Sequence, residues 1–241
     1  MKINSDVLRG KNALVPGVNG GLGLAIAQEL AAQGCNIIVT SRNAAKLTQN
    51  AMELRKSPVR IEAIPCDLSD KQAVATLVTQ AQQLFPQIDI LINCAGIFPV
   101  GPVADATMDD FELCFAVNVR APFQLSKALL PQMKAKSWGR IVNIGSSSAF
   151  NGFKDTAIYC ASKHALLGFS RSLYQEVRPQ GVRVISLNPG SIRTEMGKKV
   201  RGQIFETFLD PVEVAQYVIF AISFNAALVS EEIRLNRLVT Q

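Results

Sequence analysis

Three residues in the second half of the chain have the side chains needed to move a proton. Ser146 follows the apolar run 141–144, which predicts a buried strand, and Tyr159 and Lys163 lie four residues apart in a predicted helix. Side chains at this spacing share one face of a helix. A strand, a loop and a helix would then bring a hydroxyl, a phenol and an ammonium together. We expect a proton-delivery site here.

The lysine at this site is expected to tune the phenol. A free tyrosine titrates near about 10, and each pKa unit corresponds to about 1.4 kcal/mol. A cation about 4 Å away contributes about 4 kcal/mol at an effective dielectric of about 20. Lys163 could therefore lower the pKa of Tyr159 towards the pH at which a general acid works best. The alternative is a Tyr and a Lys that share an exposed face by chance, and other motifs must decide.

Length and composition restrict the class of protein. A chain of 241 residues with 48% apolar and 18% charged residues favours one folded domain over residues 1–241. The net charge of +6 is spread along the chain and clusters only at residues 198–201, which favours an anionic ligand over nucleic acid. The single histidine, His164, argues against a site built from several histidine ligands, and we expect no metal.

The cysteines and the hydropathy pattern indicate the cellular compartment of the protein. The five cysteines follow no CxxC or metal-binding spacing and are typical of buried thiols in a reducing compartment. The first residues lack the apolar stretch of a signal peptide, and no run reaches about 18 apolar residues. We therefore expect a cytoplasmic protein without a membrane partner.

The first strand, turn and helix are suited to an anion. The apolar run 13–15 leads into the glycine-rich turn 16–23 and then into a helix that ends near Gln33. Such a unit directs free backbone N–H groups and the positive end of a helix at a phosphate. The glycines at 17, 21 and 23 differ in spacing from the GxGxxG fingerprint of dinucleotide-binding proteins. Glycine turns before helices are common, so this motif alone is weak.

The residues at the ends of the second and third predicted strands indicate which dinucleotide the protein would bind. Strand 36–40 ends in Ser41 and Arg42 without an acidic residue. An acidic residue there would accept from a free ribose 2′-hydroxyl, whereas an arginine accommodates a 2′-phosphate. Arg42 therefore favours NADP, unless it is a solvated residue at the start of a helix. Asp67 could accept from the adenine amino group, or it could cap the helix that begins near Asp70.

Strands and helices alternate along the whole chain. We predict strands at 13–15, 36–40, 59–64, 88–92, 141–144, 181–187 and 233–235. Predicted helices lie at about 22–33, 44–56, 108–119, 123–136 and 157–178, with two more beginning near 70 and 210. Helices of this length between strands indicate a parallel sheet covered on both faces. The predicted fold is an α/β, single-domain, doubly wound, Rossmann-like sheet.

Taken together, the motifs resemble those of the short-chain dehydrogenase/reductase family, over about residues 11–224. They occur in the family's order: the glycine turn, Asp67-Leu68, Asn93-Cys94-Ala95-Gly96, Asn118, Ser146, Tyr159 with Lys163, and residues 189–194.

The resemblance implies a role for each catalytic side chain. Tyr159 would protonate a carbonyl oxygen as hydride arrives from nicotinamide, and Ser146 would hold that oxygen as a preorganised donor. Lys163 would lower the pKa of the tyrosine and hold the nicotinamide ribose. Asn118, near the end of a predicted helix, would anchor a water that links Lys163 to bulk solvent.

The resemblance also implies NADP as the cofactor and a set of residues that hold it. Its pyrophosphate would lie against Gly17, Asn19, Gly20 and Leu22, and its ribose phosphate against Ser41 and Arg42. The adenosine half would meet Asp67, Leu68, Asn93 and Gly96. The nicotinamide half would meet Tyr159, Lys163, Pro189, Gly190, Ile192 and Thr194.

Three positions depart from the family pattern. Pro16 stands where the family usually has a hydroxyl residue, and Cys94 replaces a second asparagine. Residues 231–235 replace the Asp-Gly-Gly ending of many members. The segment that follows Thr194 is also short for a substrate lid, which implies a small or open substrate site.

The expected activity is hydride transfer between NADP(H) and a carbonyl or secondary alcohol. Resemblance to 3-oxoacyl-acyl carrier protein reductases suggests an acyl thioester, and Lys198, Lys199 and Arg201 could meet an anionic carrier or form a solvated basic turn. A dehydrogenase of small hydroxy acids is one alternative. A non-catalytic NADP-sensing protein is another, although such proteins usually lose the Tyr, Lys or Ser.

Family resemblance further implies a homotetramer or homodimer. The helices within 108–136 and 157–178 would pack against their copies, because they carry more apolar surface than one sheet contact needs. The residues expected to supply that surface are Phe111, Phe115, Phe123, Phe169 and Leu173.

Overall fold

In the part of the chain that the structure describes, seven parallel strands form a central sheet in the order β3-β2-β1-β4-β5-β6-β7. The computed structural model describes residues 5–238, so the ends of the predicted domain 1–241 lie outside the described residues. The strands are β1 (Asn12–Pro16), β2 (Asn36–Ser41), β3 (Ile61–Pro65), β4 (Ile90–Asn93), β5 (Gly139–Ile144), β6 (Val182–Pro189) and β7 (Glu232–Leu235).

Within the described residues, seven α-helices cover the two faces of the sheet. They are α1 (Gly21–Ala32), α2 (Ala44–Leu54), α3 (Lys71–Leu84), α4 (Met108–Phe115), α5 (Ala121–Ala135), α6 (Ala157–Val177) and α7 (Pro211–Ile222). The predicted parallel sheet with helices on both faces is confirmed. Along the described chain, no helix combines the length and apolar character needed to cross a membrane.

Side chains that alternate along each strand build two separate cores. On β1, Val15 joins the cluster that contains residues of α1, α2 and α7, whereas Leu14 joins the cluster that contains residues of α3, α5 and α6. Successive residues of a strand point to opposite faces, so short apolar strands can be buried on both sides. The sheet is therefore fully covered, and its ends remain as places for a ligand.

The helices predicted at 108–119 and 123–136 are in fact one continuous helical rod. Between α4 and α5 the chain forms a π-helix over Ala116–Arg120. Arg120 keeps a helical conformation, and Pro122 lies in the first turn of α5, where its missing N–H costs little. The predicted break is therefore wrong, and a wider helical turn takes its place.

The order of the strands creates a crevice at one edge of the sheet. β1 pairs with both β2 and β4, so the chain leaves β1 and β4 towards opposite sides. In open parallel sheets, ligands bind outside the carboxyl ends of the strands at such a switch point. The glycine turn follows β1, and the predicted proton-delivery residues follow β5, so both lie at this edge.

Candidate active site

Ser146, Tyr159 and Lys163 come together at the carboxyl end of β5. Lys163 Nζ donates to the carbonyl oxygen of Ile144, the last residue of β5, at 2.8 Å. The same nitrogen lies 5.6 Å from the centre of the Tyr159 ring. Ser146 Oγ accepts from the backbone N–H of Ser148 at 3.1 Å, a contact that does not use the serine's own hydroxyl hydrogen. The three side chains converge, and their catalytic role stays a prediction.

Burial controls the protonation of the phenol and the ammonium. Burial raises the pKa of Tyr159 to about 12, while hydrogen bonding by the Ser146 hydroxyl acts in the opposite direction. Burial also lowers the pKa of Lys163 to about 8. The expected lowering of the tyrosine pKa by Lys163 is therefore wrong for this structure. Removing a group from water disfavours its charged form, and at Tyr159 that effect exceeds the opposing hydrogen bond of Ser146.

Asn118 lies in the π-helix and holds the loop after β4. Its Oδ1 accepts from the backbone N–H of Ile97 at 2.9 Å, and its Nδ2 donates to the carbonyl of Ile97 at 3.0 Å. A π-helical turn inserts an extra residue and is frequent at functional sites. A Cβ atom on Gly96 would lie 3.4 Å from Asn118 Oδ1 and 3.8 Å from Lys163 Nζ. Gly96, Asn118 and Lys163 are thus neighbours, as the predicted relay requires.

Two residues that were not predicted from the sequence support these side chains. Phe98 packs edge-on against Tyr159, with the ring centres 4.6 Å apart, and thereby shields the phenol from water. Ser162 Oγ accepts from Asn118 Nδ2 at 3.0 Å and donates to the carbonyl of Tyr159 at 2.7 Å. Ser162 lies between Tyr159 and Lys163 in the sequence, and this position could have indicated its supporting role. Phe98 had no local signal.

The glycine turn after β1 has the shape of an anion cradle. Gly17 has a φ of +92°, and a Cβ there would lie 2.7 Å from the backbone of Ala95, while a Cβ on Gly23 would lie 2.4 Å from Gly17 O. Only glycine fits such positions. Gly20 is the N-cap of α1, and no side chain of the described residues caps this helix. The first N–H groups of α1 are therefore available to a phosphate.

Asn19 and Leu22 support the turn from either side. Asn19 Nδ2 donates to the carbonyl of Asn43 at 2.9 Å, and its Oδ1 accepts from Asn50 at 3.0 Å. The side chain of Asn19 thus fastens the turn to α2, and only its backbone is left for a pyrophosphate. Leu22 is buried in the core beneath the turn. Their predicted contacts with the pyrophosphate remain predictions.

Ser41, Arg42 and Asp67 lie at the ends of β2 and β3. Arg42 is exposed, and its charge helps to lower the pKa of Asp67, although hydrogen bonds from Ser69 are the larger cause. One oxygen of Asp67 accepts from the Ser69 backbone at 2.9 Å and from its hydroxyl at 2.7 Å.

The identity of the residue that caps α3 decides between the two interpretations of Asp67. Asp70 caps this helix, because its carboxylate accepts from the backbone of Gln72 at 2.7 Å. The interpretation of Asp67 as the helix cap is therefore wrong. Leu68, next in the chain, is buried. The predicted contact of Asp67 with adenine stays a prediction.

The residues after β4 reach the same crevice. Asn93 Nδ2 donates to Asn143 Oδ1 at 2.7 Å, whereas Asn93 Oδ1 is buried without a hydrogen-bond partner among the described residues. Burial raises the pKa of Cys94 to about 12, with the charge of Lys163 acting in the opposite direction. Cys94 is therefore a neutral neighbour of the lysine, in the place of the family's second asparagine.

The turn after β6 closes the crevice opposite the glycine turn. Pro189 ends β6, and Gly190 N donates to the carbonyl of Leu235 in β7 at 2.8 Å. Thr194 N donates to the carbonyl of Ile192 at 2.8 Å. A Cβ on Gly21 would lie 3.1 Å from Thr194 Cγ2, so this turn contacts the start of α1. The residues predicted to hold the two halves of a dinucleotide thus line one crevice.

The basic turn after Thr194 is partly neutralised. Lys198 Nζ lies 2.6 Å from a carboxylate oxygen of Glu195, and Arg193 lies 2.5 Å from Asp210. Lys199 and Arg201 are exposed. Of the three cations expected to meet an anionic carrier, two therefore extend into solvent and the third is engaged in an ion pair.

Comparison with known proteins identifies relatives of this arrangement. The family model described as short chain dehydrogenase matches residues 11–204. An uncharacterised oxidoreductase of Staphylococcus aureus strain MRSA252 is 33% identical over 217 residues, which cover 90% of this chain and 93% of that protein. An uncharacterised oxidoreductase of Staphylococcus saprophyticus is 32% identical over 216 residues, with coverages of 89% and 92%.

Solved structures resemble the whole domain. A metagenomic short-chain oxidoreductase in complex with NADP has a TM-score of 0.85 and 29% identity, over 97% of this chain and 99% of its own. A short-chain dehydrogenase from Burkholderia cenocepacia, also in complex with NADP, has a TM-score of 0.86 and 31% identity, with coverages of 95% and 97%.

Proposed function

We propose, because this chain belongs to the short-chain dehydrogenase family, that it transfers a hydride between NADP(H) and a carbonyl or secondary alcohol. Its standing as an oxidoreductase of that family follows from the family match and the relatives. The observation that carries the finer proposal is the convergence of Ser146, Tyr159 and Lys163 beside the glycine turn.

The residues at the crevice fit a phosphate-bearing dinucleotide. The uncapped start of α1 and the tight glycine turn at Gly17 suit a pyrophosphate. The exposed Arg42, without a carboxylate at the end of β2, suits a 2′-phosphate. Bound there, NADP(H) would supply or accept the hydride. The NADP in the two similar structures supports the same choice.

The protonation of Tyr159 favours carbonyl reduction. With its pKa raised to about 12, the phenol keeps its proton at neutral pH and can deliver it to a carbonyl oxygen. Ser146 would donate its hydroxyl hydrogen to the same oxygen and hold it in place. Lys163, with a pKa lowered to about 8, remains mostly charged at pH 7 and can return a proton to the phenolate. Asn118, beside Lys163, would hold the water that completes this path.

An acyl thioester is the substrate class that we propose for this site. Lys199 and Arg201 extend into solvent on the segment that follows Thr194, where they could attract the anionic surface of a carrier protein. The exposed positions of Ile204 and Met196 on the same segment offer apolar contacts to an acyl chain. The short segment also supports small hydroxy acids as a second candidate.

A groove on α4, α5 and α6 supports assembly into a homodimer or homotetramer. Phe111 stacks on Phe115 with ring centres 4.4 Å apart, and Phe123 lies 5.5 Å from Phe169. Phe123 is 50% exposed, whereas Leu173 is only 8% exposed and belongs to the core. Leu173 is therefore no longer expected to contribute to the interface. Sedimentation should give more than one 26.1 kDa chain at micromolar concentration, and a monomer alone would contradict the assembly.

The thiols support a reducing compartment for this enzyme. All five cysteines are free, and four of them are buried. Disulfides are rare in the cytosol, where thiols are kept reduced. We therefore propose that the protein works in the cytoplasm.

Turnover of a substrate panel tests the proposed activity. The purified protein would be mixed with NADPH and with 3-oxoacyl thioesters, simple ketones and small oxo acids, and the nicotinamide absorbance would be followed. The reverse direction would be measured with NADP⁺ and small 3-hydroxy acids. Preference for thioesters is expected. NADPH binding without turnover of any member would instead favour the NADP-sensing alternative.

A further inference from the structure

Residues 195–209 form a loop that leaves and returns beside the site. At its base, Arg193 N donates to the carbonyl of Leu209 at 2.9 Å. Near its start, Gly197 N donates to Thr194 Oγ1 at 3.2 Å. Thr194 is the residue proposed to meet the nicotinamide half of the cofactor. The loop therefore begins beside a residue of the proposed cofactor site and would form one wall of the proposed substrate site.

The outer half of this loop has little to pack against. Gly202 has a φ of +69°, and a Cβ there would meet no atom within 4 Å. Ile204 is 53% exposed, and the first well-buried side chain on the return path is Phe208, at 4%. Segments with few buried contacts open at low free-energy cost. The polar contacts of the outer half therefore decide where it lies.

Arg237, in the tail that follows β7, supplies such contacts. One guanidinium nitrogen donates to Thr207 Oγ1 and another donates to Gln203 Oε1, each at 3.0 Å. The centre of the guanidinium group lies 5.1 Å from the centre of the Phe208 ring. Gln203 Oε1 also accepts from Ser191 Oγ at 3.0 Å. The side chain of Gln203, in the loop, thus connects Arg237 of the tail with Ser191 of the turn after β6.

We propose that Arg237 is a positioning residue that holds residues 203–208 against the turn after β6 and so shapes the substrate site. The planar guanidinium presents donors in a fixed fork, which matches two acceptors on different parts of the loop. Arg237 lies outside the Ser146, Tyr159 and Lys163 cluster, so it would act on substrate binding and leave the proton transfer unchanged. Its effect on substrates depends on the proposed function, whereas its hold on the loop does not.

Limited digestion with trypsin tests the hold on the loop. The loop contains cleavage sites at Lys198, Lys199 and Arg201, and the rate of cleavage follows the population of the open loop when reclosing is fast. Arg237→Ala should be cut at these sites at least tenfold faster than the wild type, as read by mass spectrometry. Asn236→Ala is the matched control, because this neighbour is exposed and makes no side-chain hydrogen bond within residues 5–238. An unchanged rate in Arg237→Ala would overturn the proposal.

A double-mutant cycle separates this contact from general destabilisation. Gln203→Glu places a carboxylate opposite the guanidinium and keeps an acceptor for Ser191, so charge-assisted hydrogen bonds should slow cleavage about fivefold. The same substitution in the Arg237→Ala background should give no slowing, because its partner is gone. Equal slowing in both backgrounds would show that the two side chains do not interact. Gln203→Glu also gives an answer if Arg237→Ala folds poorly.

Steady-state kinetics test the effect on the substrate. Arg237→Ala should raise KM for the best substrate of the panel at least fivefold and leave kcat within twofold. Arg237→Lys should recover part of the loss, since an ammonium retains donors near the same acceptors. Faster cleavage with an unchanged KM would overturn the positioning role. If no variant turns over any substrate, the proposed function fails, and the trypsin experiment still decides whether Arg237 holds the loop.

Discussion

The proton-delivery residues and the loop that borders them are held in very different ways. Tyr159 and Lys163 are 8% and 4% exposed, and they belong to α6, a helix with buried residues along its length. The outer half of loop 195–209 is mostly exposed, and its Thr207 and Gln203 accept side-chain hydrogen bonds from Arg237. The proposed chemistry thus lies on a helix of the core, whereas the proposed substrate side depends on a few surface contacts. We expect substitutions at the first region to remove the reaction and those at the second to alter its selectivity.

The largest expected effect follows from removing the phenol. Tyr159→Phe deletes the proton donor and leaves the ring that packs against Phe98. Because general acid catalysis contributes about 10²- to 10⁴-fold, kcat should fall by that range while the Kd of NADPH stays within about threefold. Steady-state rates and NADPH fluorescence titration would measure both.

Tyr174→Phe is the matched control for that experiment. Tyr174 is a buried tyrosine of the same helix that packs in the core, so its variant should keep its rate. Retention of more than about a tenth of wild-type kcat in Tyr159→Phe, about 1.4 kcal/mol of barrier, would exclude Tyr159 as the acid.

The next effect concerns the choice of cofactor. Charge-assisted hydrogen bonds contribute about 1.5–3 kcal/mol each, so two of them from Arg42 to a 2′-phosphate would favour NADPH by about a hundredfold. Because Arg42 is exposed to solvent, the preference for NADPH should be smaller than this figure. Ser41→Asp with Arg42→Leu should reverse it, by adding an acceptor for the 2′-hydroxyl and a charge that repels the phosphate.

The measurement for this reversal is kcat/KM with each reduced cofactor on one substrate. Lys56→Leu removes an exposed positive charge just beyond the far end of α2 and should leave the preference unchanged. Equal values for NADPH and NADH in the wild type would mean that Arg42 does not meet the phosphate.

A smaller effect is expected from pH. Lys163 carries its charge below its lowered pKa of about 8, while Tyr159, with its pKa raised to about 12, keeps its proton through this range. For reduction, kcat/KM should be level below about pH 8 and fall about tenfold per pH unit well above it. Lys163→Arg stays charged and should remove this decline, at a lower overall rate. A rate that rises between pH 7 and 9 would contradict the assignment.

The smallest effect is expected on the loop. Lys199→Gln with Arg201→Gln removes two exposed cations, and exposed ion pairs contribute about 0.2–1 kcal/mol each. KM for an acyl group on a carrier protein should rise about two- to fivefold, and the difference should vanish at high salt. KM for a small thioester without a carrier serves as the control and should not change. An equal rise in KM for both substrates would show that the two cations do not act by attracting the carrier protein.

Much of the fold was predictable because its signals are local. Apolar strands at 13–15 and 36–40 were predicted within one or two residues of β1 and β2, since burial on both faces requires continuous apolar runs. Asp210 and Pro211 marked the start of α7, where the carboxylate caps the backbone of Val212 at 2.8 Å. The break predicted between 119 and 123 was wrong, because a π-helical turn has no distinct local signature.

By itself, the sequence determined which residues could carry the chemistry. Tyr159 and Lys163 share a helix face because of their spacing, and Ser146 meets them because it follows a strand that ends at the same edge. Tertiary structure decided what surrounds them. Phe98 reaches Tyr159 from 61 positions earlier in the chain, and the direction of the tyrosine's pKa shift follows from burial by such distant neighbours. Arg237 meets Gln203 across 34 positions. Contacts of this kind depend on how separate elements pack, and no local pattern encodes them.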